Sequence, residues 1–223
     1  MIETLFPAGV VALAATESMW DSPLHPEEAT AIERAVERRR REFAAGRACA
    51  RAALERLGIR DAVLAADADR IPRWPRDIVG CISHTREWCG VAVARRGPIL
   101  ALGLDVETVV ALRPEIASLV CTPRERERFE ADGSRPESLL FVFSAKECAY
   151  KCLFPLVRTF LDFHDVEVAL EHETGEFVAR VLRGLPPADR RVEIRGRFRR
   201  DARRVYTGAV IAADDGVLAC GTG

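Results

Sequence analysis

The chain has 223 residues and a formal net charge of −1, and 48% of its residues are hydrophobic and 30% charged. This length and composition are typical of a soluble globular protein with one large domain or two small halves. The balanced charge argues against a protein that coats nucleic acid, and no apolar run approaches the roughly 20 residues of a membrane helix. We therefore expect a cytoplasmic monomer without nucleic-acid or membrane partners.

Two residue types say more than these averages. The seven cysteines contain no C-x-x-C pair, so buried reduced thiols are expected rather than a zinc site or a disulfide framework. Arg accounts for 31 of the 33 basic residues, and the only lysines, Lys146 and Lys151, lie five positions apart. A Lys ammonium is compact and its pKa can be shifted, whereas Arg stays protonated. The two lysines therefore suggest a site that Arg could not serve, although chance could also bring them together.

In chain order, the first half begins with a buried strand, which is expected within residues 5–16. One long helix is predicted over residues 26–57, because Pro26 and two acidic residues suit its first turn and Gly58 suits its end. Turn residues then separate three predicted strands, which would form a meander that closes the first half: residues 78–85, 88–95 and 99–107.

The second half is predicted to contain three helices followed by strands. The helices are expected at residues 114–120, 123–130 and 136–154, with Pro155 ending the third. The strands are expected at residues 166–171, 177–182, 192–199 and 205–212. Helices followed by antiparallel strands thus occur twice, which indicates the α+β class with two similar halves, residues 1–103 and 104–223.

Candidate anion ligands occur at two places in the first half. Arg40, Arg47 and Arg51 lie on one side of the long predicted helix. They form either a solvated basic edge or a row of ligands beside a cleft. Ser83 and His84 stand at the end of a predicted strand, where they could hydrogen-bond an anion. The sequence contains no arrangement typical of a Ser-His-Asp triad, a Walker A loop or a G-x-G-x-x-G loop.

Two carboxylates mark the end of the third predicted strand. Asp105 and Glu107 stand two positions apart, so strand alternation places both on one face. Oxygen ligands of this kind suit a hard divalent cation such as Mg²⁺. The alternative is a pair of carboxylates that face solvent, which is common for this spacing.

The helix that contains both lysines carries further charges. Glu147 and Lys151 are four positions apart and share a face, and Ser144 lies one turn earlier on that face. Lys146 and Tyr150 share the neighbouring face. The pair Glu147–Lys151 could be a surface ion pair worth about 0.3–0.5 kcal/mol. However, the helix is rich in apolar residues, and partly buried charges need partners such as a metal ion and phosphates.

Four segments together resemble a known family, the phosphopantetheinyl transferases of the surfactin-synthetase-activating type, and in particular the branch of the enterobactin enzyme. They are R-R-E-F-x-x-G-R-x-x-A-R at residues 40–51, W-P-x-x-x-x-G-x-I-S-H at 74–84, G-x-D-x-E at 103–107 and F-S-x-K-E-x-x-Y-K at 143–151. Cys81 and Cys148 stand where small residues are usual in the family. Residues 154–223 contain no matching motif, so the resemblance leaves the pathway and the choice of partner open.

The resemblance implies transfer of 4′-phosphopantetheine from coenzyme A to a serine of an acyl or peptidyl carrier protein, with release of adenosine 3′,5′-bisphosphate. It implies Mg²⁺, with Mn²⁺ as the alternative, held by Asp105, Glu107 and Glu147. It also implies two similar α+β halves with coenzyme A between them. Glu147, directly or through water, would be the base for the carrier serine, and Lys151 would stabilise charge on the α-phosphate.

The residues expected to hold coenzyme A are Arg40, Arg47, Arg51, Arg70, Ser83, His84, Lys146 and Lys151. Two other functions remain open at this point. A regulator on the same fold could bind coenzyme A or a nucleotide without catalysis, although it would not need all three carboxylates and both lysines. A Mg²⁺-dependent phosphohydrolase would usually need more Asp or His ligands.

Overall fold

The computed structural model describes residues 1–110, 114–131, 137–185 and 192–213. The helices are α1 Pro26–Ala29, α2 Glu37–Arg56, α3 Pro114–Val120, α4 Pro123–Ala131 and α5 Ser138–Val157. The strands are β1 Val10–Ala14, β2 Ile78–His84, β3 Cys89–Arg95, β4 Ile99–Thr108, β5 Val166–Glu171, β6 Glu176–Val181, β7 Glu193–Arg200 and β8 Arg204–Ala212. No helix in these ranges is both long and apolar enough to cross a membrane.

The strands form two antiparallel sheets. One has three strands in the order β1-β3-β2, and the other has five in the order β4-β8-β7-β6-β5. The helix α2 packs on the smaller sheet and α5 on the larger one. This arrangement confirms the predicted α+β class with antiparallel sheets on helices. Six of the seven cysteines are buried thiols, and Cys220 lies outside the described residues.

The predicted three-strand meander is wrong in one strand. β4 pairs with β8 in the larger sheet, and the third strand of the smaller sheet is β1. The predicted boundary between residues 103 and 104 therefore falls inside β4. Adjacency in sequence favoured a local meander, whereas β4 pairs with a strand about 100 residues later in the chain.

The predicted long helix over residues 26–57 is also wrong, because it is interrupted. α1 continues as a short 3-10 turn over Thr30–Ile32, and Val36 is extended before α2 begins. Arg40 reaches back from α2 and donates hydrogen bonds to the carbonyl oxygens of Glu33 and Ala35, at 2.6 and 2.9 Å. These bonds satisfy carbonyl groups that a continuous helix would have used, so the break is stabilised by a helix residue itself.

Pro155 does not end α5 as predicted. The helix continues to Val157 and ends where Arg158 adopts a left-handed conformation, with φ of 49°. Pro155 lacks an N–H group and removes one helical hydrogen bond, but it lies in the last turn, where little of the helix follows it. The predicted start at residue 136 lies outside the described residues.

The two sheets meet where β2 packs beside β4. The backbone N–H of Leu104 donates to Sγ of Cys81 at 3.3 Å, which joins the two strands. On its other side, β4 is in close contact with α5, since a Cβ at Gly103 would clash with the backbone carbonyl of Cys148. Gly103 therefore allows α5 to lie directly on β4, and the junction of β2, β4 and α5 positions the site described next.

Candidate functional site

The centre of the site is Asp105, a carboxylate on β4 that is only 2% exposed. Its Oδ1 atom accepts hydrogen bonds from Nζ of Lys151 at 2.5 Å and from Oγ of Ser83 at 3.3 Å. Its Oδ2 atom accepts from Oγ of Ser144 at 2.7 Å. Residues from β2, β4 and α5, which belong to different parts of the sequence, therefore converge on one buried carboxylate.

Local geometry explains this convergence. Asp105 and Glu107 lie on one face of β4 because side chains alternate along a strand. Ser144, Glu147 and Lys151 are spaced by three and four residues, so they share the face of α5 that meets β4. Thr207, the cross-strand neighbour of Asp105, donates to the carbonyl oxygen of Ser144 at 3.0 Å and fixes the helix against the sheet.

The charges of the cluster influence one another strongly. Burial, together with the charges of Asp105 and Glu147, raises the pKa of Glu107 to about 7, although the charge of Lys151 acts to lower it. Burial likewise raises the pKa of Glu147, helped by Asp105 and opposed by Lys151. Burial opposes the charged form of Lys151, but Asp105 outweighs it, so the pKa of Lys151 lies above its usual range. The cluster thus holds more negative charge than Lys151 alone neutralises.

The three carboxylates suit a divalent cation in their chemistry, since all are oxygen donors and their mutual repulsion would be relieved by a positive ion. Among the described residues, however, no three His, Cys, Asp or Glu side chains converge closely enough to form a metal site as they stand. Lys151 holds the Oδ1 atom of Asp105 instead. Ligation by all three would require Lys151 or the carboxylates to shift.

A basic group lies beside the carboxylates, at the end of β2. His84 Nε2 lies 2.5 Å from Nη1 of Arg39, and Glu42 interacts with both, at 3.8 Å from Nδ1 of His84 and 3.5 Å from Nη1 of Arg39. Burial lowers the pKa of His84, and the charges of Arg39 and Lys151 lower it further, while Glu42 and Asp105 oppose the shift. His84 therefore connects α2 electrostatically to the Asp105 cluster.

Arg47 is the most unusual cation of this region. It is 4% exposed, its Nε atom has no hydrogen-bond partner, and its guanidinium lies 4.1 Å from the centroid of the Phe43 ring. Its pKa is lowered to about 10, chiefly by burial and also by the neighbouring charges of Arg39 and Arg51, while the charge of Glu28 acts to raise it. A buried guanidinium with an unsatisfied N–H is costly unless an anion binds it.

Two of the predicted arginine ligands, Arg51 and Arg40, have protein partners in the structure. Arg51 donates from Nη1 to both carboxylate oxygens of the fully buried Glu28, each at 2.9 Å. The carboxylate of Glu28 also accepts the backbone N–H groups of His25 and Leu64. Arg40 is used in the turn before α2, as described above. Both side chains therefore bind protein groups, whereas the Nε atom of Arg47, the third member of the predicted row, has no partner among the described residues.

Lys146 precedes Glu147 on α5 and lines the same cavity, but its ammonium already has protein partners. Its ammonium donates to Oε2 of Glu125 at 2.7 Å and to the carbonyl oxygens of Val120 and Phe163 at 2.7 and 2.8 Å. Both charged residues are almost completely buried, with exposures of 2% and 1%. Three acceptors satisfy the three N–H groups, so the ammonium has no free donor for a phosphate. Its side of α5 faces α4 rather than β4.

Arg70 lies in the loop between α2 and β2. Its backbone is left-handed, with φ of 65°, and its side chain is exposed. Arg39, by contrast, was missed by the sequence reasoning, which selected Arg40 one position later. Helical spacing relates residues to one another but does not say which of two neighbouring arginines faces the sheet, so no sequence signal distinguished them.

A cavity of about 190 Å³ opens beside Glu147. Aromatic and aliphatic side chains form most of its wall, including Tyr150, Phe160 and Leu161. Burial raises the pKa of Tyr150, and so does the charge of Glu147. A charged side chain at the end of an apolar cavity can act on a ligand whose less polar part lies in that cavity.

Comparison with known proteins identifies the family. The profile described as 4′-phosphopantetheinyl transferase N-terminal domain matches residues 27–94, and that of the 4′-phosphopantetheinyl transferase superfamily matches residues 101–207. The chain belongs to the 4′-phosphopantetheinyl transferase superfamily. This confirms the resemblance based on the four motifs, and the second match includes Asp105, Glu107 and the whole of α5.

Several relatives of this transferase are similar in sequence over more than half of its length. The 4′-phosphopantetheinyl transferase Svp of Streptomyces mobaraensis is 36% identical over 224 residues, which cover 97% of this chain and 91% of that protein. The 4′-phosphopantetheinyl transferase Npt of Nocardia iowensis is 35% identical, covering 78% and 79%. Enterobactin synthase component D of Escherichia coli (strain K12) is 36% identical over 126 residues, covering 54% and 57%. The chain is therefore an enzyme, a phosphopantetheinyl transferase.

Proposed function

We propose that this transferase moves 4′-phosphopantetheine from coenzyme A to the hydroxyl of a serine in an acyl or peptidyl carrier protein, and releases adenosine 3′,5′-bisphosphate. The observation that carries the proposal is a charge arrangement. The buried, incompletely bonded Arg47 and His84 both lie within the influence of the charge of Arg39, and Lys151 links His84 to the carboxylates around Asp105. A substrate with several phosphates and a nearby reacting hydroxyl fits such a site.

The reaction balances without a further reactant. The serine oxygen forms a bond to the β-phosphorus of coenzyme A, and the bond from that phosphorus to the bridging oxygen breaks. Glu147 takes the serine proton, either directly or through one water molecule. Its raised pKa favours this role, because a base works best when its pKa lies nearer the working pH.

The remaining residues bind and orient the substrate. Lys151 stabilises the charge that develops on the departing α-phosphate, after exchanging its bond to Asp105 for one to phosphate. Arg47, His84 and the newly found Arg39 hold the phosphates of coenzyme A, while Ser83 contacts the phosphate or pantetheine region. The apolar cavity beside Glu147 is suited to part of the pantetheine arm, which extends from the reacting phosphorus.

Asp105, Glu107 and Glu147 are the residues that would hold Mg²⁺ or Mn²⁺. When bound, the ion would neutralise diphosphate charge and the repulsion among the carboxylates. Asp105 is the central ligand in this proposal, because it is the buried residue to which the other elements converge.

The test is loading of an apo carrier protein, followed by mass spectrometry after incubation with coenzyme A and Mg²⁺. The wild-type protein should add the mass of phosphopantetheine to the carrier. The variant Glu147→Gln should lose loading by a factor of about 100 or more, because general-base catalysis typically contributes 10²–10⁴. Glu55→Gln, an exposed position on α2, is the matched control and should load normally.

Each alternative function gives a different result in this assay. A coenzyme A-binding regulator would leave the carrier mass unchanged and coenzyme A intact. A phosphohydrolase would consume coenzyme A without changing the carrier. Undiminished loading by Glu147→Gln would remove Glu147 from the proposed role of base while leaving the transferase activity in place.

A further inference from the structure

Arg158 connects the end of α5 to a loop of the other half of the molecule. Its Nη1 atom donates to Oδ2 of Asp67 at 2.8 Å and to Oδ2 of Asp69 at 2.7 Å. The two carboxylates lie in the segment between α2 and β2, about 90 positions earlier in the sequence. α5 also carries Glu147 and Lys151, so this contact joins the helix of the proposed active site to the loop that contains Arg70.

Asp67 organises that loop from within. Its Oδ1 atom accepts the backbone N–H groups of Asp69 at 3.0 Å and Ile71 at 2.8 Å. The backbone of Asp67 also exchanges hydrogen bonds with the loop, since its N–H donates to Ile71 and its carbonyl accepts from Arg70. One carboxylate thus uses one oxygen to shape the loop and the other to bind Arg158.

The backbone is unusual at Arg158 and in the loop, at the residue that follows Asp69. Arg70 and Arg158 both have left-handed backbones, with φ values of 65° and 49°, and neither is a glycine. Such conformations persist where surrounding contacts hold them. The ion pairs with Asp67 and Asp69 raise the pKa of Arg158. At Asp67, burial acts to raise the pKa of the carboxyl, but hydrogen bonds, that from Arg158 among them, outweigh burial and lower it. These ion pairs help to hold both segments.

The tip of the loop lies beside the proposed site. The charge of Asp69 is close enough to Tyr150 to contribute to its raised pKa, after burial and Glu147. Tyr150 lines the cavity next to Glu147. The side chain of Arg70, the next residue after Asp69, makes no hydrogen bond or ion pair with the part of the chain that the structure describes, and it is exposed. It is therefore available for an anionic ligand.

We propose that Arg158, through Asp67 and Asp69, is a positioning residue that holds the loop of residues 66–72 so that Arg70 faces the phosphates of coenzyme A. This contact is called the Arg158 latch. The proposal rests on the proposed function, since coenzyme A is taken as the ligand. Arg158 itself touches neither the substrate nor the reacting atoms. It acts by holding the loop in the conformation that binds coenzyme A, so that less binding free energy is spent on ordering the loop.

The first measurement follows the loop without any ligand. Hydrogen–deuterium exchange of a peptide covering residues 65–73 should be faster in Arg158→Gln than in the wild type, because the amides of Asp69 and Ile71 depend on Asp67 for protection. Arg158→Lys, which retains a charge, should show intermediate exchange. Arg180→Gln removes an exposed ion pair with Glu193 on the larger sheet and serves as the matched control with unchanged exchange.

The second measurement is coenzyme A affinity by calorimetry in a double-mutant cycle. Arg158→Gln and Arg70→Gln should each weaken binding about three- to tenfold. The double variant should be no weaker than Arg70→Gln, because the latch acts only through Arg70. In steady-state kinetics, Arg158→Gln should raise KM for coenzyme A and leave kcat near the wild-type value. A merely structural role would lower the melting temperature without this coupling.

The outcomes separate the two proposals. Wild-type affinity in Arg158→Gln, unchanged loop exchange, or additive effects of the two substitutions would each overturn the Arg158 latch and leave the proposed function intact. Failure of the wild-type protein to bind coenzyme A would overturn the proposed function and, with it, the role assigned to Arg70.

Discussion

At the scale of single residues, Arg47 and Arg51 show how different two arginines one helical turn apart can be. Arg51 donates hydrogen bonds to the buried carboxylate of Glu28 and to the carbonyl oxygen of Pro23. Arg47 is more deeply buried, yet its Nε atom has no partner among the described residues. Removing one member of a buried ion pair leaves the other charge buried without a partner, which destabilises the protein. Removing a buried cation that lacks a hydrogen-bond partner instead relieves a desolvation cost. Substitution of Arg47 should therefore affect ligand binding, whereas substitution of Arg51 should affect stability.

Arg47→Met is expected to weaken coenzyme A binding about ten- to a hundredfold, since hydrogen bonds to charged groups contribute about 1.5–3 kcal/mol. The melting temperature should not fall, because the aliphatic replacement keeps the volume against Phe43 and loses no protein hydrogen bond in the described structure. Isothermal titration and thermal unfolding of the same preparation check both statements. If Arg47→Met binds coenzyme A as tightly as the wild type does, Arg47 is not a ligand of coenzyme A.

The matched variant Arg51→Met should behave in the opposite way. Without Arg51, the fully buried carboxylate of Glu28 loses its ion pair, and such losses cost about 3–5 kcal/mol in folding free energy. Urea unfolding would measure this loss. Coenzyme A affinity of the remaining folded protein should stay close to that of the wild type, contrary to the sequence-based expectation that Arg51 binds phosphate.

At the scale of elements, α5 presents different chemistry on two sides. One side places Ser144, Glu147 and Lys151 at the carboxylate of Asp105, while the other places Lys146 in a closed network with Glu125. The same Glu125 carboxylate accepts the backbone N–H of Thr122 at 2.6 Å and that of Val168 at 2.6 Å. Lys146 and Glu125 therefore attach α5 to α4 and β5, and the helix is fixed from both sides.

Lys146→Met should destabilise the protein by about 3–5 kcal/mol, because it leaves the buried Glu125 carboxylate without its cation. Denaturant unfolding measures the loss. The double variant Glu125→Leu/Lys146→Met, which removes both charges, should recover part of the stability and is the control. Coenzyme A affinity of the double variant should match the wild type, and a loss of more than about tenfold would support the original prediction that Lys146 binds phosphate.

At the scale of the whole molecule, the carboxylate cluster occupies the junction between the two sheets. β4 belongs to the larger sheet but packs beside β2 of the smaller one, and α5 covers it. Charges placed at such a junction are partly removed from water, so folding becomes dependent on their protonation. Glu107 is the clearest case, since its pKa in the folded protein is raised to about 7 from 4.5.

The contribution of Glu107 to the stability of the metal-free protein should therefore fall as the pH rises from about 4.5 to 7. In this range the unfolded chain has released the proton of Glu107 while the folded protein keeps it, so ionisation favours unfolding. Urea unfolding in EDTA at pH 5 and pH 8 should show a loss larger in the wild type than in Glu107→Gln by roughly 2–3 kcal/mol. Equal pH dependence of the two proteins would contradict the raised pKa.

Local sequence patterns predicted the individual elements well. The bounds of α3 and of β5 agree with the predictions, and those of β2, β3, β6, β7 and β8 differ by one residue at one or both ends. Pro, Gly and alternating apolar residues decide such boundaries over a few neighbouring positions. The break before α2 was not predicted, because it depends on hydrogen bonds from Arg40 that compete with a regular helix.

By itself, the sequence determined the family, the α+β class and the residues that meet at the site from within one element: Asp105 with Glu107 on a strand, and Ser144 with Glu147 and Lys151 on a helix. These depend on the repeat of a strand or a helix, which spacing alone reveals. Only the tertiary structure decided that Arg39 rather than Arg40 faces His84, that Lys146 turns toward Glu125, and that β4 pairs with β8. Spacing sets the angle between side chains on one element but not the rotation of that element against its neighbours, which packing of distant segments decides.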